Sequence, residues 1–371
     1  MNIVHITTVH GPFDNRIFYK ECLSILRKGH FVTLIAPHEN DQNVRGVNIR
    51  ALPRTKSRIK RIFAINYKAY KKALAENADI YHFHDPEFIP LAWLLRLRGK
   101  KRIVYDVHED YSTLMKVKGY LPFTLRTVLA FLFNVFEKVL TKRFNKVLAE
   151  KYYKKRFPDG LTVLNYPGSD LLDMPMNSRL DQKIRLIYTG NITADRGGVE
   201  HANIVNYVEE ALVYLIGRCD KDFANKLYEI AGDKKDRLYI NGVGRFVPFE
   251  EIKKYYAEGN WMAGLAIFPP GDHYINKELT KFFEYMSIGI PVICSGFPVW
   301  KKLVEETGAG LCVNPVDKGE IKSAVKYLYL NREKAEKMGQ NGRTSVISSF
   351  KWEHEANKLE IFYQDLMKES K

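Results

Sequence analysis

The sequence predicts an α/β protein of two doubly wound domains. Three observations predict it: strand and helix patterns alternate from the first residue, the alternation restarts after a polar break, and 371 residues exceed what one hydrophobic core serves. In the first half the spacing predicts strands over Ile3 to Thr8, Phe31 to Pro37, Val47 to Leu52, Ile80 to His84, Ile103 to Val107, Lys146 to Ala149 and Thr162 to Asn165. Several are apolar on both faces, as strands buried in a parallel sheet are. Helical patterns fall between them, over Arg16 to Lys28, Asn66 to Ala75, Phe88 to Leu97 and Pro122 to Lys142.

After Asn165, Tyr-Pro-Gly-Ser-Asp opens a polar stretch to Gln182 that reads as a linker. The pattern then restarts, with strands at Arg185 to Thr189, Leu212 to Arg218, Leu238 to Ile240, Met262 to Phe268, Val292 to Ser295 and Leu311 to Val313. The clearest helices among them are Lys277 to Ile288 and Lys318 to Leu330. The last helix, about Trp352 to Met367, is apolar on one face through Ala356, Leu359, Phe362, Tyr363 and Leu366, and needs a domain to lie against. The expected division is 1–168, 183–348, and a terminal helical segment 349–371 packed back on the first domain, with the two domains facing a cleft.

Composition narrows the function classes. Lys and Arg exceed Asp and Glu by 58 to 43, and a count by halves gives 30 against 15 up to Asp170 and 28 against 28 beyond it. The whole excess of +15 therefore sits in the first half, where it draws in anionic surfaces. The four cysteines form no CxxC pair and fall in apolar runs, which fits reduced thiols and a cytoplasmic protein. MNIVHITTVH enters a strand at once, without the charged and apolar regions of a signal peptide. The run Val128 to Phe136 is interrupted by Asn134 and ended by Glu137, short of the roughly 20 residues that span a bilayer. No basic run interleaved with aromatics appears, so nucleic acid is not an expected partner.

Four segments carry candidate chemistry. Gly190-Asn191 ends the first strand of the second half and Ala194-Asp195-Arg196-Gly197-Gly198 opens a helix, a turn where exposed N–H groups and the helix dipole favour a diphosphate and Arg196 adds a fork. A tight turn alone would account for the glycines; with Arg196 in this context, anion binding is the better reading. In Asn276-Lys277-Glu278-Leu279-Thr280-Lys281-Phe282-Phe283-Glu284, the spacing predicts Asn276, Lys281 and Glu284 near one helical face. A surface Lys and Glu pair is the plain alternative, but the apolar neighbours imply burial, where unpaired charge is costly. His82-Phe83-His84-Asp85-Pro86-Glu87 and Asp106-Val107-His108-Glu109-Asp110 end two parallel strands, the edge where α/β sheets bind ligands. His82 and His84 share a strand face, and a metal completed by His108 and Glu109 is conceivable, but no further ligand spacing follows and no metal is expected. His10-Gly11-Pro12-Phe13-Asp14-Asn15-Arg16 lies at the same edge: Gly11 would let backbone approach a sugar, whereas Asp14 or Asn15 equally suits a helix cap.

Taken in order, HITTVHGPFDNRIFYKE, HFHDPE, VYDVHED, YTGNITADRGG and KFFEYMSIGIPVICSGFPVW followed by Gly308 to Pro315 resemble family 4 of the retaining glycosyltransferases along nearly the whole chain. The resemblance implies the GT-B fold, a first domain on the acceptor side, a second holding a nucleotide-sugar donor, no obligatory metal or other cofactor, and retention at the anomeric carbon. By motif, His108, Arg196, Lys281 and Glu284 would be catalytic: Arg196 and Lys281 neutralising the leaving diphosphate, Glu284 binding ribose, His108 approaching the donor sugar. Gly11, Gly190, Asn191, Gly197, Val247 and Asn276 would bind the donor, with Val247 near the base; Asp14, Arg16, His84, Asp85 and Glu109 are acceptor-side candidates. Two positions depart from the family pattern. Asn276 stands where relatives have the first of two glutamates separated by seven residues, and Asn191 where many have a second cation. An amide still hydrogen-bonds a hydroxyl but carries no charge.

The expected activity is transfer of a hexose-type sugar from a UDP-sugar, rather than a GDP-sugar, to a glycan or lipid-linked acceptor in cell-surface polysaccharide synthesis at the cytoplasmic membrane face. A stripe of Val128, Phe131, Leu132, Val135, Phe136 and Val139, flanked by Lys138, Lys142, Arg143 and Lys146, reads either as a membrane face or as core. A nucleotide-sugar epimerase or phosphorylase of the same fold is the alternative enzyme, and a basic nucleic-acid-binding protein the alternative without catalysis.

Overall fold

The computed structural model describes residues 1–99, 101–109, 122–177, 183–271 and 273–368. Asp110 of the second histidine motif and residues 178–182 of the linker lie outside them. The chain divides into two compact units, Met1–Asn165 with Trp352–Lys371, and Tyr166–Lys351.

The first unit is built on one sheet of eight strands: β1 (Asn2–Ile6), β2 (Phe31–Pro37), β3 (Gln42–Val44), β4 (Val47–Leu52), β5 (Ile80–Phe83), β6 (Arg102–Val107), β7 (Asn145–Leu148) and β8 (Leu161–Thr162), in the order β3-β4-β2-β1-β5-β6-β7-β8. All pairings are parallel except β3 with β4. That hairpin turns through Arg45 and Gly46, both at positive φ, as two-residue turns between twisted strands require. Strand order reverses between β1 and β5, so ligands are expected at the carboxyl ends of those strands. Alternation along each strand assigns its side chains to two layers. Val4, Ile6, Tyr81, Phe83 and Tyr105 pack under the helices Asn66–Glu76 and Ile89–Leu97. Ile3, Ile80 and Val104 face a second layer with Ile17, Phe18, Leu359 and Tyr363. The helix Trp352–Lys368 belongs to that layer, and Trp352 Nε1 donates to Ser24 Oγ at 2.8 Å.

The second unit has six parallel strands, β9 (Ile184–Thr189), β10 (Ala211–Cys219), β11 (Leu238–Val243), β12 (Ala263–Ala266), β13 (Val292–Ser295) and β14 (Gly310–Val313), in the order β11-β10-β9-β12-β13-β14. Order reverses between β9 and β12, which sets the ligand edge beyond Thr189 and Ala266.

Two expectations need correction. The helix expected from Lys277 starts at Thr280, because Leu279 is extended and Tyr274 to Asn276 form a turn held by the Lys277 N–H to Tyr274 carbonyl bond. Asn276 therefore shares no helical face with Lys281 and Glu284, and is exposed. The helix Phe123–Leu140 buries Ala130 and Glu137 but leaves Val128, Phe131, Leu132, Val135, Phe136 and Val139 exposed, with Phe131 at 65% and Val139 at 62%, so the stripe is not core. Lys146 does not flank it as a free cation: it is buried and paired with Asp159 at 2.9 Å. Among the described residues no helix is long and apolar enough to cross a membrane.

Candidate active site

In the second unit the chain leaves β9 at Thr189, passes Gly190 and Asn191, makes a short turn of helix at Ala194–Arg196, and enters the helix Gly198–Tyr207. Gly197 sits at φ +76°, and a Cβ there would lie 1.9 Å from the Ile267 carbonyl oxygen, so only glycine lets this loop rest on the end of β12. His201, one turn into the helix, closes the same contact from the other side: its Nε2 accepts the Ile267 N–H at 2.9 Å. The Gly197 and Gly198 N–H groups are bonded within the turn, to the Ala194 and Thr193 carbonyls, and the helix dipole makes the loop a favourable seat for an anion.

Two cations are held beside it. The Lys281 ammonium lies 4.3 Å from the ring centre of Tyr188 and 4.9 Å from that of Phe268, and is close enough to Gly190 that a Cβ there would stand 3.6 Å from Nζ. Burial first, then the Arg196 charge, hold its pKa well below the usual lysine range, while Glu284 opposes them. Among the described residues Lys281 has no carboxylate within ion-pair distance and no hydrogen bond. Arg196 spends its Nε on Tyr274 Oη, at 3.0 Å, and Tyr274 in turn donates to Asp195 at 2.9 Å. Two cations, one propped on aromatic rings and the other on a tyrosine, thus flank one loop without an anionic partner of their own among the described residues. Asn191 is exposed at the loop's start.

Glu284, half-buried on the helix Thr280–Ser287, accepts the Tyr256 hydroxyl at 3.0 Å; Tyr256 also bonds Thr189 Oγ1 at 2.8 Å, tying the carboxylate to the end of β9. Val247 is buried beside Gly242, near the end of β11. The structure thus groups Gly190, Arg196, Gly197 and Lys281, sets Glu284 one helical turn beyond Lys281, and leaves Asn276 on a separate turn. Tyr188, Phe268, Tyr274 and His201 support the site, a role for which no periodic pattern in the chain gives a signal.

In the first unit the predicted residues collect at the carboxyl ends of β1, β5 and β6. His108 Nε2 lies 2.7 Å from Asp106 Oδ2 and 3.0 Å from His84 Nδ1, and its ring centre is 5.5 Å from that of His10. Asp14 caps the helix Asn15–Cys22, accepting the N–H groups of Arg16 and Ile17 at 2.9 and 3.0 Å, and faces His10 at 3.5 Å. Burial would raise the Asp14 carboxyl, but the His10 hydrogen bond and charge hold it well below the usual range. Asp85 is buried, its Oδ2 accepting the Thr7 hydroxyl at 2.9 Å and the Thr8 N–H at 2.6 Å while its Oδ1 has no hydrogen-bond partner. Arg16 is buried too, donating to the Val163 carbonyl at 2.9 Å and to Asp106 at 3.3 Å, with Glu21 at 3.0 Å. Arg16, His84 and Asp85 therefore shape the edge from beneath, while Gly11, Asp14, His108 and Glu109 are more open. Gly11 has no positive φ, and a Cβ added to it would meet no atom within 4 Å, so its backbone does not itself demand glycine.

Two regions of this chain match known family models. Residues 18–150 match Glycosyltransferase Family 4, and residues 249–345 match Glycosyl transferases group 1. No curated protein matches the chain by sequence. Among solved structures, the sucrose-phosphate synthase from Thermosynechococcus elongatus is 17% identical, with 99% of each chain covered and a TM-score of 0.78. Anabaena HepE in complex with UDP-glucose is 11% identical, with 98% of this chain and 100% of that chain covered and a TM-score of 0.72. WaaG, a glycosyltransferase involved in lipopolysaccharide biosynthesis, is 13% identical, with 97% and 99% covered and a TM-score of 0.70. At these identities the likenesses show the fold, which is GT-B. The chain belongs to the family 4/group 1 glycosyltransferases. It is accordingly an enzyme of glycosyl transfer.

The buried imidazole at the loop supplies a pH test. Burial, and then Lys281, push His201 well below its ordinary value of 6.5. Below about pH 6.5 the unfolded ring takes a proton that the folded one refuses, so stability falls as pH drops, by up to about 1.4 kcal/mol per unit. His201→Leu is expected to lower stability at pH 7 by about 1–3 kcal/mol, through the unpaired Ile267 N–H, and to make the loss between pH 7 and pH 5 shallower than in wild type. Urea unfolding at the two pH values checks both.

Proposed function

We propose that the second unit binds a nucleotide-sugar donor, a UDP-sugar, and that the enzyme transfers its sugar with retention to a glycan or lipid-linked acceptor in cell-surface polysaccharide synthesis. The observation that carries this reading is the pair of cations, Arg196 and Lys281, flanking the Gly190 to Gly197 loop without counter-anions among the described residues. A diphosphate seated there meets the helix N-terminus and both charges. Negative charge grows on it as the glycosidic bond breaks, so the same groups that bind it stabilise the transition state more than the ground state. Glu284, fixed by Tyr256, is assigned the ribose hydroxyls; its two lone-pair-bearing oxygens accept from a diol as an amide would not. Asn191, Gly190 and Gly197 line the diphosphate, Val247 lies toward the base, and Asn276 is left a hydrogen-bonding part at most. In the first unit His108, oriented by Asp106, is assigned to the donor sugar, with Gly11, Asp14 and Glu109 on the acceptor side.

A nucleoside diphosphate in one neighbour, HepE with UDP-glucose, supports the choice of uridine. The test is turnover of UDP-glucose, UDP-galactose, UDP-N-acetylglucosamine and GDP-mannose, with and without alkyl glycosides as acceptors. UDP release together with an α-linked product from an α-linked donor supports the proposal. An epimerised nucleotide sugar formed without acceptor would replace it with the epimerase reading.

The same proposal includes attachment at the cytoplasmic face of the membrane. The exposed stripe of the helix Phe123–Leu140 and the exposed Lys138, Lys142 and Arg143 support it, since apolar area and cations together suit an anionic bilayer surface. Phe131→Ser with Phe136→Ser is expected to reduce sedimentation with vesicles containing anionic phospholipid several-fold, without lowering the unfolding midpoint. Undiminished sedimentation would remove the membrane from the account.

A further inference from the structure

The first unit buries a cluster of nitrogen and oxygen atoms, several of which, on His5, His82 and Glu21, its own hydrogen bonds do not use. Strand alternation creates it: His5 on β1 and His82 on β5 are directly opposite in the ladder, Phe83 is opposite Tyr105, and His84 and Asp106 follow on the same face as His82. Glu21, from the helix Asn15–Cys22, points into the same space, and His5, Glu21, His82, His84 and Asp106 are each 0–1% exposed. The histidine rings crowd together, with the centres of His5 and His82 at 4.7 Å and those of His82 and His84 at 4.8 Å.

Bonding accounts for one side of the His5 and His82 rings and leaves the other, whereas both nitrogens of His84 have neighbours at hydrogen-bond distance. His82 Nδ1 meets the Tyr363 hydroxyl, while His82 Nε2 has no hydrogen-bond partner and stands 3.7 Å from Asp106 Oδ2. His84 Nδ1 is 3.0 Å from His108 Nε2 and 3.4 Å from Asp106 Oδ2; its Nε2 points toward His5 Nδ1 at 3.1 Å and Glu21 Oε2 at 3.9 Å. Arg16 lies 3.0 Å from Glu21 Oε1, yet neither Glu21 oxygen makes a hydrogen bond. Buried polar atoms left in this way call for an ion or a water.

We propose that Glu21, His82, His84 and Asp106 bind a divalent transition-metal ion, of the zinc class, inside the first unit. One ligand atom from each lies within 4.8 Å of all the others. Atoms bonded to one cation at about 2.0–2.1 Å stand about 3.3 Å apart in a tetrahedron and about 4.2 Å across an octahedron, so the widest separation must close by about 0.6 Å for an octahedral shell and by about 1.5 Å for a tetrahedral one. Imidazole nitrogen with carboxylate oxygen, and no thiolate, selects zinc, manganese or ferrous iron over calcium or copper(I). The outer contacts suit ligands as well: Tyr363 holds the far nitrogen of His82, and Arg16 takes the outer oxygens of both carboxylates. The ion would fasten β5 and β6 to the helix that covers them, beneath the edge carrying His10 and His108. It is a structural ion held within the first unit, two of its ligands touching His108, and it stands whether or not the donor is a UDP-sugar.

The test is metal analysis of the full chain purified without a histidine tag, followed by chelator treatment and addition of zinc chloride or cobalt chloride. About one equivalent of metal per chain is expected after zinc addition, with visible absorption bands from the cobalt form and a thermal midpoint several degrees above the stripped protein. Glu21→Gln and His82→Gln are expected to lose that equivalent. Should either fail to fold, stripping and refilling of the wild-type chain decides alone. Less than about a tenth of an equivalent after zinc addition, with no midpoint shift, would overturn the proposal in favour of a water among these atoms. A folded Glu21→Gln that keeps its full equivalent would overturn it too.

Discussion

Lys281→Ala is expected to lower kcat/KM by about 100–1000-fold, the scale seen when one preorganised group facing a developing negative charge is removed. The expectation follows from where the ammonium is kept. It rests on the faces of Tyr188 and Phe268, beside Gly190, with Arg196 near enough to push its pKa down. Holding two like charges at one loop costs stability unless an anion joins them, so the site is poised for an anion, which in the proposed function is the donor diphosphate. The free energy gained when the anion arrives grows as charge moves onto it, which places most of the loss in kcat and less in KM. Stability should move the other way: Lys281→Met, which keeps the aliphatic stem and removes the buried charge, is expected to raise the unfolding midpoint while abolishing most of the activity. The depressed lysine has a further consequence. Its ammonium is lost at lower pH than an ordinary lysine's, so donor affinity should weaken as pH rises, and binding should draw a proton from the buffer. Calorimetry in two buffers of different ionisation enthalpy measures that uptake directly. Turnover within a few-fold of wild type in Lys281→Ala would remove this residue from the chemistry.

Gly197→Ala should do comparable damage by another route. The added methyl would lie 1.9 Å from the Ile267 carbonyl oxygen and 3.1 Å from His201 Cε1, at a φ of +76° that costs an L-residue about 1–2 kcal/mol before any clash. Backbone cannot yield as a flexible side chain does, so the loop must leave the end of β12, taking its N–H groups away from the diphosphate. Donor binding is expected to fall below detection and stability to drop by about 2 kcal/mol or more. Gly11→Ala is the contrast, for nothing lies within 4 Å of the position its methyl would take, and its stability should stay within about 0.5 kcal/mol of wild type. Urea unfolding of the two variants side by side separates a glycine required by packing from one that is not. A stable Gly197→Ala with wild-type affinity would show that this loop does not hold the donor.

Much of the fold is legible in the sequence because buried parallel strands announce themselves as apolar runs. Phe31–Pro37, Val47–Leu52 and Val292–Ser295 have the bounds the pattern predicts. The strand Gln42–Val44 is not, since its three residues are polar or edge-like and its pairing comes from the Arg45-Gly46 turn, a local backbone choice rather than a periodicity. The start of the helix at Thr280 is hidden for a different reason. Asn276 to Glu278 have acceptable helical propensity, and tertiary bonds, among them that from Trp300 Nε1 to the Lys277 carbonyl at 2.6 Å, together with the preceding turn keep them out of the helix.

The site is legible where chemistry and backbone coincide. Gly190, Arg196 and Gly197 share one strand-to-helix turn, and a sequence shows such turns. Lys281 and Glu284 stand out as charges among apolar neighbours. The residues that hold them do not: Tyr274, Tyr188, Phe268 and His201 read as ordinary core or surface positions until the fold brings them to the loop. The buried cluster of the first unit is half visible. Spacing shows His82 and His84 on one strand face with His108 and Glu109 as companions; the fold brings His108 to His84 and also sets Glu21 and Asp106, from a different helix and strand, against the pair.

The measurement that tests the central claim most directly is calorimetric binding of UDP, GDP, ADP and their common sugar conjugates to the wild-type chain and to Arg196→Ala. The account predicts binding of the uridine series with roughly one site per chain, and a loss of about 2–4 kcal/mol in the variant, which lacks a charge-assisted contact to the diphosphate. Equal binding by the variant, or no binding of any nucleotide to the wild-type chain, would contradict it.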